Sequence, residues 1–253
     1  MSLRINKDNI FFIHPEGKYS VSQRIGLDME KDFTLFIKAK IFPKLMEKDH
    51  EQFMFSRNGA HSGLSTCLNK DGEPIIIFTY WFTKENENGE LKQYPKQVLY
   101  TFKENELNEF NEFIMVCNHR QRKIECYVNK KLVGKLDYKK EEKMGYNESY
   151  FWFGCGSMDS PDEHKHIGDF EFKNAFLLSI DLKLEEIYNF FDNYKTIHSH
   201  SVFKNLRKLN YEYKLRHHFS FCFDFDCKNR YKIWDESFKG NYAQIYLLDN
   251  IYY

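Results

Sequence analysis

The chain has 253 residues, with 37 Lys and Arg against 37 Asp and Glu, so its formal net charge is zero. This balance excludes a general electrostatic attraction to nucleic acid, and no apolar run approaches the roughly 18 residues that span a bilayer. Phe, Tyr and Trp make up 18% of the residues, which excludes a wholly disordered chain. We therefore expect a folded protein with no nucleic-acid partner and no membrane span.

The N-terminus and the cysteines bear on the compartment. Residues Met1–Asn6 lack the apolar core of a signal peptide. The 6 cysteines form no C-x-x-C pair, and Cys126 shares one face of a strand-like stretch with Ile124 and Val128. We interpret the cysteines as small buried hydrophobic residues rather than a disulfide framework, and we expect a cytoplasmic protein.

Short strands with a two-residue period dominate the chain from residue 33 onward. The stretch Phe33–Ile41 places its odd-numbered apolar residues on one face and Thr34, Lys38 and Lys40 on the other. Further strand-like runs, separated by turn signals such as Asp71-Gly72, follow at 53–56, 75–82, 98–102, 113–117, 124–128, 150–153 and 170–172. This series predicts an all-β jelly-roll sandwich of two antiparallel sheets rather than βαβ units.

A helix closes this series. Leu184, Ile187, Tyr188 and Phe191 have the spacing of an apolar helical stripe, and Asp181 is the expected N-cap.

The last part of the chain changes character twice. Residues 196–218 are more polar and basic, which indicates a short helical connector, and residues 219–225 return to strict alternation. We therefore expect a jelly roll over residues 1–195. Residues 196–253 are expected to form the connector and a β-rich tail that packs on the sandwich, because a lone hairpin is only marginally stable.

Several stretches resemble one known family. Asn108–Val116 and the following Lys123–Gly134 resemble a strand and the next hairpin of laminin-G-like jelly rolls, whose hairpin is commonly written L-x-L-Y-V-N-G-x-L-V-G. Asp32–Leu35 resembles that family's D-F-T-(I/L) first core strand, and Ile167–Ile187 resembles its closing strand and helix. In order, these pieces resemble the concanavalin A-like lectin and glucanase superfamily over roughly residues 10–192.

The chain departs from the family pattern at three places. Phe110 stands where a Trp is usual, and Lys130 stands at a hairpin position that favours Gly, so we expect a longer turn or another turn type there. The segment Ile233–Ala243 resembles a family segment that normally precedes the first core strand. The tail therefore either completes the first sandwich, which we favour, or begins a second repeat.

The resemblance implies a non-catalytic, lectin-like carbohydrate-binding module for an oligosaccharide or polysaccharide. Such a module would retain a polysaccharide for a partner glycan enzyme, for example in bacterial surface-polysaccharide assembly. Sugars suit an aromatic platform beside amide, carboxylate and Arg groups. Our candidates for ligand binding are Arg57, Asn58, His61, Tyr80, Trp152, Asp159 and His164. Tyr80 is preferred to Trp81, which alternates to the opposite face.

The loop of residues 157–166 is the densest polar segment. Asp159, Asp162 and Glu163 offer oxygen ligands for calcium, as in relatives of this family, and His164 and His166 offer nitrogens for a transition metal. The alternative interpretation is a solvated loop between two strands. Calcium is the cofactor that the sequence favours at this loop.

Two other functions stay open. Asp169 and Glu171 alternate like part of the E-x-D-x-(x)-E strand of glycoside hydrolases in the same superfamily, which would make the chain a glycan-active enzyme. The third acid of that pattern is missing, and alternation alone demands polar residues on an outer face. A protein-interaction domain of a larger chain is the remaining alternative.

The calcium interpretation has a direct thermal test. If Asp159, Asp162 and Glu163 hold the ion in the folded state only, calcium raises the melting temperature, since such a ligand must stabilise the fold. The measurement is a thermal melt with calcium and with a chelator. Equal melting temperatures would favour the solvated loop.

Overall fold

The structure is a computed structural model. It describes residues 3–5, 9–15, 32–48, 50–57, 62–144, 151–154, 168–178, 180–188, 219–224, 232–234 and 241–247. In chain order the strands are β1 (Leu3–Ile5), β2 (Asn9–Pro15), β3 (Phe33–Ile41), β4 (Gln52–Arg57), β5 (Ser62–Leu68), β6 (Pro74–Glu85), β7 (Leu91–Thr101), β8 (Asn111–Asn118), β9 (Lys123–Val128), β10 (Lys131–Asp137), β11 (Lys143–Met144), β12 (Phe151–Phe153), β13 (Phe170–Leu178), β14 (Phe219–Asp224), β15 (Lys232–Trp234) and β16 (Asn241–Leu247). Within the described residues, two 3₁₀ turns lie at Pro43–Leu45 and Glu104–Glu106, and residues 184–188 are α-helical and are called α1.

The described strands form two antiparallel sheets. Sheet A has seven strands, in the order β1-β13-β3-β8-β9-β10 with β14 also paired to β13. Sheet B has nine, in the order β11-β6-β5-β4-β12-β2-β16-β15 with β7 also paired to β6. The predicted all-β architecture of two antiparallel sheets is therefore confirmed.

The core lies between the two sheets and contains the inward half of each alternating strand. Phe33 of sheet A stacks on Tyr80 of sheet B with ring centroids 6.0 Å apart, and Phe153 meets Phe172 edge-on at 5.4 Å. Cys117 and Cys126 are also buried here as free thiols, and burial is the main cause that raises the pKa of Cys117 to about 12. For these two cysteines the interpretation as buried hydrophobic residues is confirmed.

Helix α1 covers the outer face of sheet A. Its Ile187 is buried with Phe36 and Phe176, whose rings stack at 5.2 Å. The predicted N-cap is wrong: the Glu186 carboxylate accepts the Lys183 N–H at 2.7 Å, so the cap lies at residue 183. Asp181 instead accepts a hydrogen bond from the Asn118 side chain.

Strands β7 and β10 bring the two sheets together at one side of the sandwich. A Cβ atom at Gly134 would lie 2.6 Å from Val98 Cγ1, so only glycine permits this approach. Lys96 Nζ crosses the same gap and donates to the Asp137 carbonyl and to Glu142 Oε2, each at 2.7 Å. These contacts fix the orientation of β7 at the edge of sheet B.

The terminal β-rich tail is present and joins both sheets. Strand β14 pairs with β13 in sheet A, while β16 pairs with β15 and with β2 in sheet B. Residues 196–218 lie outside the described residues. The domain boundary at residue 195 stays a prediction.

The β9–β10 hairpin differs from the expectation at Lys130. Its turn is not longer, because Asn129 and Lys130 alone connect the strands, with φ angles of 48° and 70°. Positive φ at both residues is the pattern of a tight type I′ turn. Lys130 accepts this conformation, and its Nζ lies 4.2 Å from the centroid of the Tyr188 ring in α1.

Substitutions at Lys130 separate the backbone effect from the ring contact. Lys130→Gly and Lys130→Ala both remove the contact with Tyr188, but only glycine relieves the left-handed backbone. We expect the Gly variant to exceed the Ala variant in unfolding free energy by about 1 kcal/mol, measured by urea denaturation. Equal stabilities would contradict the assigned turn.

The Lys96–Glu142 pair predicts a pH dependence. Burial alone would raise the pKa of Glu142, but the hydrogen bonds from Lys96 and from the Lys139 N–H outweigh it and lower that pKa to about 2. A lowered carboxyl pKa stabilises the fold above the ordinary Glu value of about 4.3, and this contribution is lost as the pH falls from there toward 2. Glu142→Gln should therefore lower the unfolding free energy at pH 7. It should also reduce the loss of unfolding free energy between about pH 4.3 and about pH 2, measured by urea denaturation at a series of pH values. The substitution Glu141→Gln at the exposed neighbour should leave this pH dependence unchanged.

A candidate binding cleft

A cleft of about 440 Å³ opens where three segments of the chain meet. Its walls come from the turn after β3, from the segment after the second 3₁₀ turn, and from the residue before β13. The lining residues are Phe42, Pro43, Lys44, Asn108 and Asp169. This volume lies within the range of small-ligand sites in proteins.

Backbone hydrogen bonds hold the three segments in place. The Phe42 N–H donates to the Asp169 carbonyl at 3.2 Å, and the Asn108 N–H donates to the Ile41 carbonyl at 3.3 Å. Asn108 has a φ of 61°, a left-handed conformation that Asn tolerates better than most residues. These hydrogen bonds tie the three segments to one another at the strand ends.

The lining combines an apolar surface with three kinds of polar group. Phe42 and Pro43 are half-buried, Lys44 and Asn108 are exposed, and Asp169 is 9% exposed. An aromatic ring can contact the C–H face of a sugar, while an amide, a carboxylate and an ammonium can bind its hydroxyl groups. The set matches the groups expected of a sugar site except that Lys44 stands in place of an Arg.

The prediction for Tyr80 is wrong. Its side chain is 0% exposed, and its ring lies in the core against Phe33 and 5.2 Å from Phe82. The alternation of Tyr80 and Trp81 is correct, but the Tyr80 face is the inner face of sheet B. Trp81 is the residue that points outward, and it is half-buried.

The remaining sequence candidates cannot be placed by their side chains. Asn58, His61, Asp159, Asp162, Glu163 and His164 lie outside the described residues, as do the side chains of Arg57 and Trp152. The backbone around Arg57 is placed, because this residue pairs with Phe151 of β12 and with Ser62 of β5. The Ser62 hydroxyl accepts the backbone N–H of Trp81 at 3.1 Å. The described residues contain no group of three or more His, Cys, Asp or Glu that could hold a metal ion.

Of the two carboxylates considered for a glycan-active enzyme, one lines the cleft. Asp169 lines the cleft, whereas Glu171 is half-buried at a position of β13 that pairs with Lys40. Among the described residues that line the cleft, Asp169 is the one carboxylate. A pair of catalytic acids would need a second there.

Sequence reasoning missed the other four lining residues, Phe42, Pro43, Lys44 and Asn108. Phe42-Pro43-Lys44 directly follows a predicted strand, and Asn108 begins a stretch that resembles a strand of the family. Their position beside predicted strand ends was the signal that could have identified them. Nothing in the sequence brings these two stretches next to Asp169.

A second polar cluster surrounds the β8–β9 turn. Asn118 Nδ2 donates to Asp181 at 2.5 Å, the His119 N–H donates to Asp32 at 2.6 Å, and the Tyr138 hydroxyl lies 2.9 Å from His119 Nδ1. Burial, followed by the nearby charge of Asp32, raises the pKa of Asp181. These hydrogen bonds hold the turn against the starts of β3 and α1, so the role of this cluster is structural.

No family model matches the chain, and no curated protein matches it. Solved structures do. The binding domain of botulinum neurotoxin serotype C1 is 12% identical, with a TM-score of 0.50 over 76% of this chain and 43% of that one. The binding domain of serotype D/C is 14% identical, with a TM-score of 0.48 over 76% and 43%. A third structure concerns type C neurotoxin, whose cell entry depends on two ganglioside molecules; it is 12% identical, with a TM-score of 0.46 over 73% and 42%.

The serotype C1 match concerns the fold alone at this level of identity. The chain spans less than half of the length of these structures. No helix in the described part of the chain is long and apolar enough to cross a membrane. The structure is therefore a β-sandwich with a small cleft at its strand ends, lined by apolar and polar groups.

Proposed function

We propose that the chain is a non-catalytic carbohydrate-binding module of the concanavalin A-like, lectin-like type. The observation that carries this proposal is the cleft, in which Phe42 and Pro43 form an apolar wall beside Lys44, Asn108 and Asp169. An oligosaccharide end would place a C–H face on the ring of Phe42. Its hydroxyl groups would bind Asn108 and the Asp169 carboxylate.

One further observation supports a binding role. The cleft is held by backbone hydrogen bonds, so little ordering of the protein opposes binding. The proposal includes the finer expectations of the sequence: a polysaccharide ligand, a partner glycan enzyme and a calcium ion at Asp159, Asp162 and Glu163.

Substitutions in the cleft test the proposal. We expect Phe42→Ala to weaken affinity for the best ligand of a glycan array at least about fivefold, because stacking on a ring contributes about 1 kcal/mol beyond area burial. Asp169→Asn should weaken affinity by a similar factor or more, since a hydrogen bond to a charged group contributes about 1.5–3 kcal/mol. The measurement is calorimetric titration, with and without calcium.

Phe110→Ala is the matched control. Phe110 is also a half-buried phenylalanine, but it packs under the ammonium groups of Lys40 and Lys173 and does not line the cleft. A thermal melt of each variant separates lost binding from lost folding. The proposal fails if no glycan binds, or if the Phe110 variant loses as much affinity as the Phe42 variant.

A further inference from the structure

Two hairpin loops of sheet B are built alike. The loop between β5 and β6 covers Asn69–Glu73 with the sequence N-K-D-G-E, and the loop between β6 and β7 covers Asn86–Glu90 with the sequence N-E-N-G-E. In each loop the N–H of the first Asn donates to the carbonyl of the last Glu, at 2.9 Å and 2.8 Å respectively. The glycines have φ angles of 82° and 80°, in the left-handed region that favours Gly. The loops are therefore two copies of one turn.

The first Asn of each loop holds the turn with its side chain. Asn86 Oδ1 accepts the N–H groups of Asn88 and Glu90 at 3.0 Å and 2.8 Å, and Asn86 Nδ2 donates to Glu90 Oε2 at 2.9 Å. The Gly89 N–H donates to the Asn86 carbonyl at 3.0 Å. Asn69 makes the corresponding bonds in the first loop.

The two loops differ at the residue before the glycine. It is Asp71 in the first loop and Asn88 in the second. Asn88 and Gly89 are both exposed at the tip of the β6–β7 hairpin. Because glycine has no Cβ, the preceding side chain can reach its backbone nitrogen with little steric hindrance. An exposed Asn-Gly pair therefore places an amide carbon beside a nitrogen that can attack it.

We propose that Asn88 is a site of spontaneous deamidation whose rate is set by the opening of this turn. The Gly89 nitrogen loses its proton and attacks Asn88 Cγ, the side-chain Cγ–N bond breaks, and the amide group leaves as ammonia with a proton from solvent. Water then opens the resulting five-membered succinimide ring. Addition of water at Cγ gives aspartate at residue 88, and addition at the backbone carbonyl carbon gives isoaspartate. Water is the co-reactant, and the site goes beyond the proposed function.

The hydrogen bonds of the turn oppose this reaction. The Gly89 N–H keeps its proton while it donates to the Asn86 carbonyl, so the nitrogen reacts only when the turn opens. Opening requires little free energy at a hairpin tip where every residue of the loop is exposed. The observed rate is the rate in an open chain multiplied by the fraction of molecules with an open turn. The side chain of Asn86 therefore controls the rate by controlling that fraction.

The first loop shows which product the fold accepts. Asp71 occupies the position that corresponds to Asn88, and its N–H makes the same hydrogen bond to the first Asn of the loop. The aspartate product therefore fits the turn, and it adds one negative charge to a chain whose formal net charge is zero. Isoaspartate instead adds a methylene group to the backbone before Gly89. This product loses the bond from Gly89 to Asn86 and weakens the turn.

Peptide mapping by mass spectrometry tests the site. Folded protein is incubated at mildly alkaline pH and digested with trypsin, which releases residues 85–92 as one peptide. We expect this peptide to gain the mass difference between an amide and a carboxyl group, and fragmentation should place the change at Asn88. Asn86 in the same peptide is the internal reference, because Glu87 follows it instead of a glycine. Conversion of Asn88 no faster than that of Asn86 would overturn the proposal.

Substitutions in the two loops test the control by the turn. Asn86→Ala removes the three side-chain hydrogen bonds and should raise the rate at Asn88 about tenfold, which corresponds to about 1.4 kcal/mol of opening free energy. Asn69→Ala is the matched control, because it removes the same bonds from the first loop and should leave the rate at Asn88 unchanged.

Two further comparisons complete the test. Asn88→Gln should abolish the change at residue 88, since its longer side chain would have to close a six-membered ring. Wild-type protein unfolded in urea should react faster at Asn88 than folded protein, and a thermal melt shows that each variant is folded. An unchanged rate in Asn86→Ala, an equal rise in Asn69→Ala, or equal rates in folded and unfolded protein would overturn the control by the turn.

Discussion

Burial of aromatic rings between two sheets is the constraint on which the rest of the structure depends. Phe33 and Tyr80 meet across the sandwich, as do Phe153 and Phe172. Each ring removes a large apolar area from water, and the close fit of a protein interior leaves such rings no second role. Most of the aromatic rings whose burial the structure describes therefore lie in the core. Phe42, which follows β3, is one of the rings that stay partly exposed.

The approach of β10 to β7 at one side of the sandwich determines which face of β7 is exposed. Gly134 lets β10 approach Val98 of β7, and Lys96 links the same strand to Glu142. With these contacts facing inward, the outward face of β7 is left without a covering strand in the described part of the chain. The same alternation that builds the core thus places Leu91 and Leu99 on the outer face of sheet B.

The period-two pattern was sufficient to predict the all-β sandwich, because side-chain alternation is a local property of each strand. It was also correct that Tyr80 and Trp81 face opposite ways. Alternation cannot tell which face is inner, since that depends on the partner sheet, and the choice of Tyr80 failed for this reason. The turn at Lys130 shows another limit: tertiary contacts with Tyr188 and the flanking strands hold a residue whose intrinsic preference is different. The cleft itself joins stretches more than 60 residues apart in sequence, at Phe42, Asn108 and Asp169, and no local pattern brings them together.

The central claim is that a glycan binds among the strand ends at Phe42, Asn108 and Asp169. The most direct measurement is a titration of isotope-labelled protein with an oligosaccharide, followed through backbone amide chemical shifts. The account predicts that the largest shifts fall on Phe42, Lys44, Asn108 and Asp169. Shifts confined to other surfaces, or no shifts with any glycan, would contradict it.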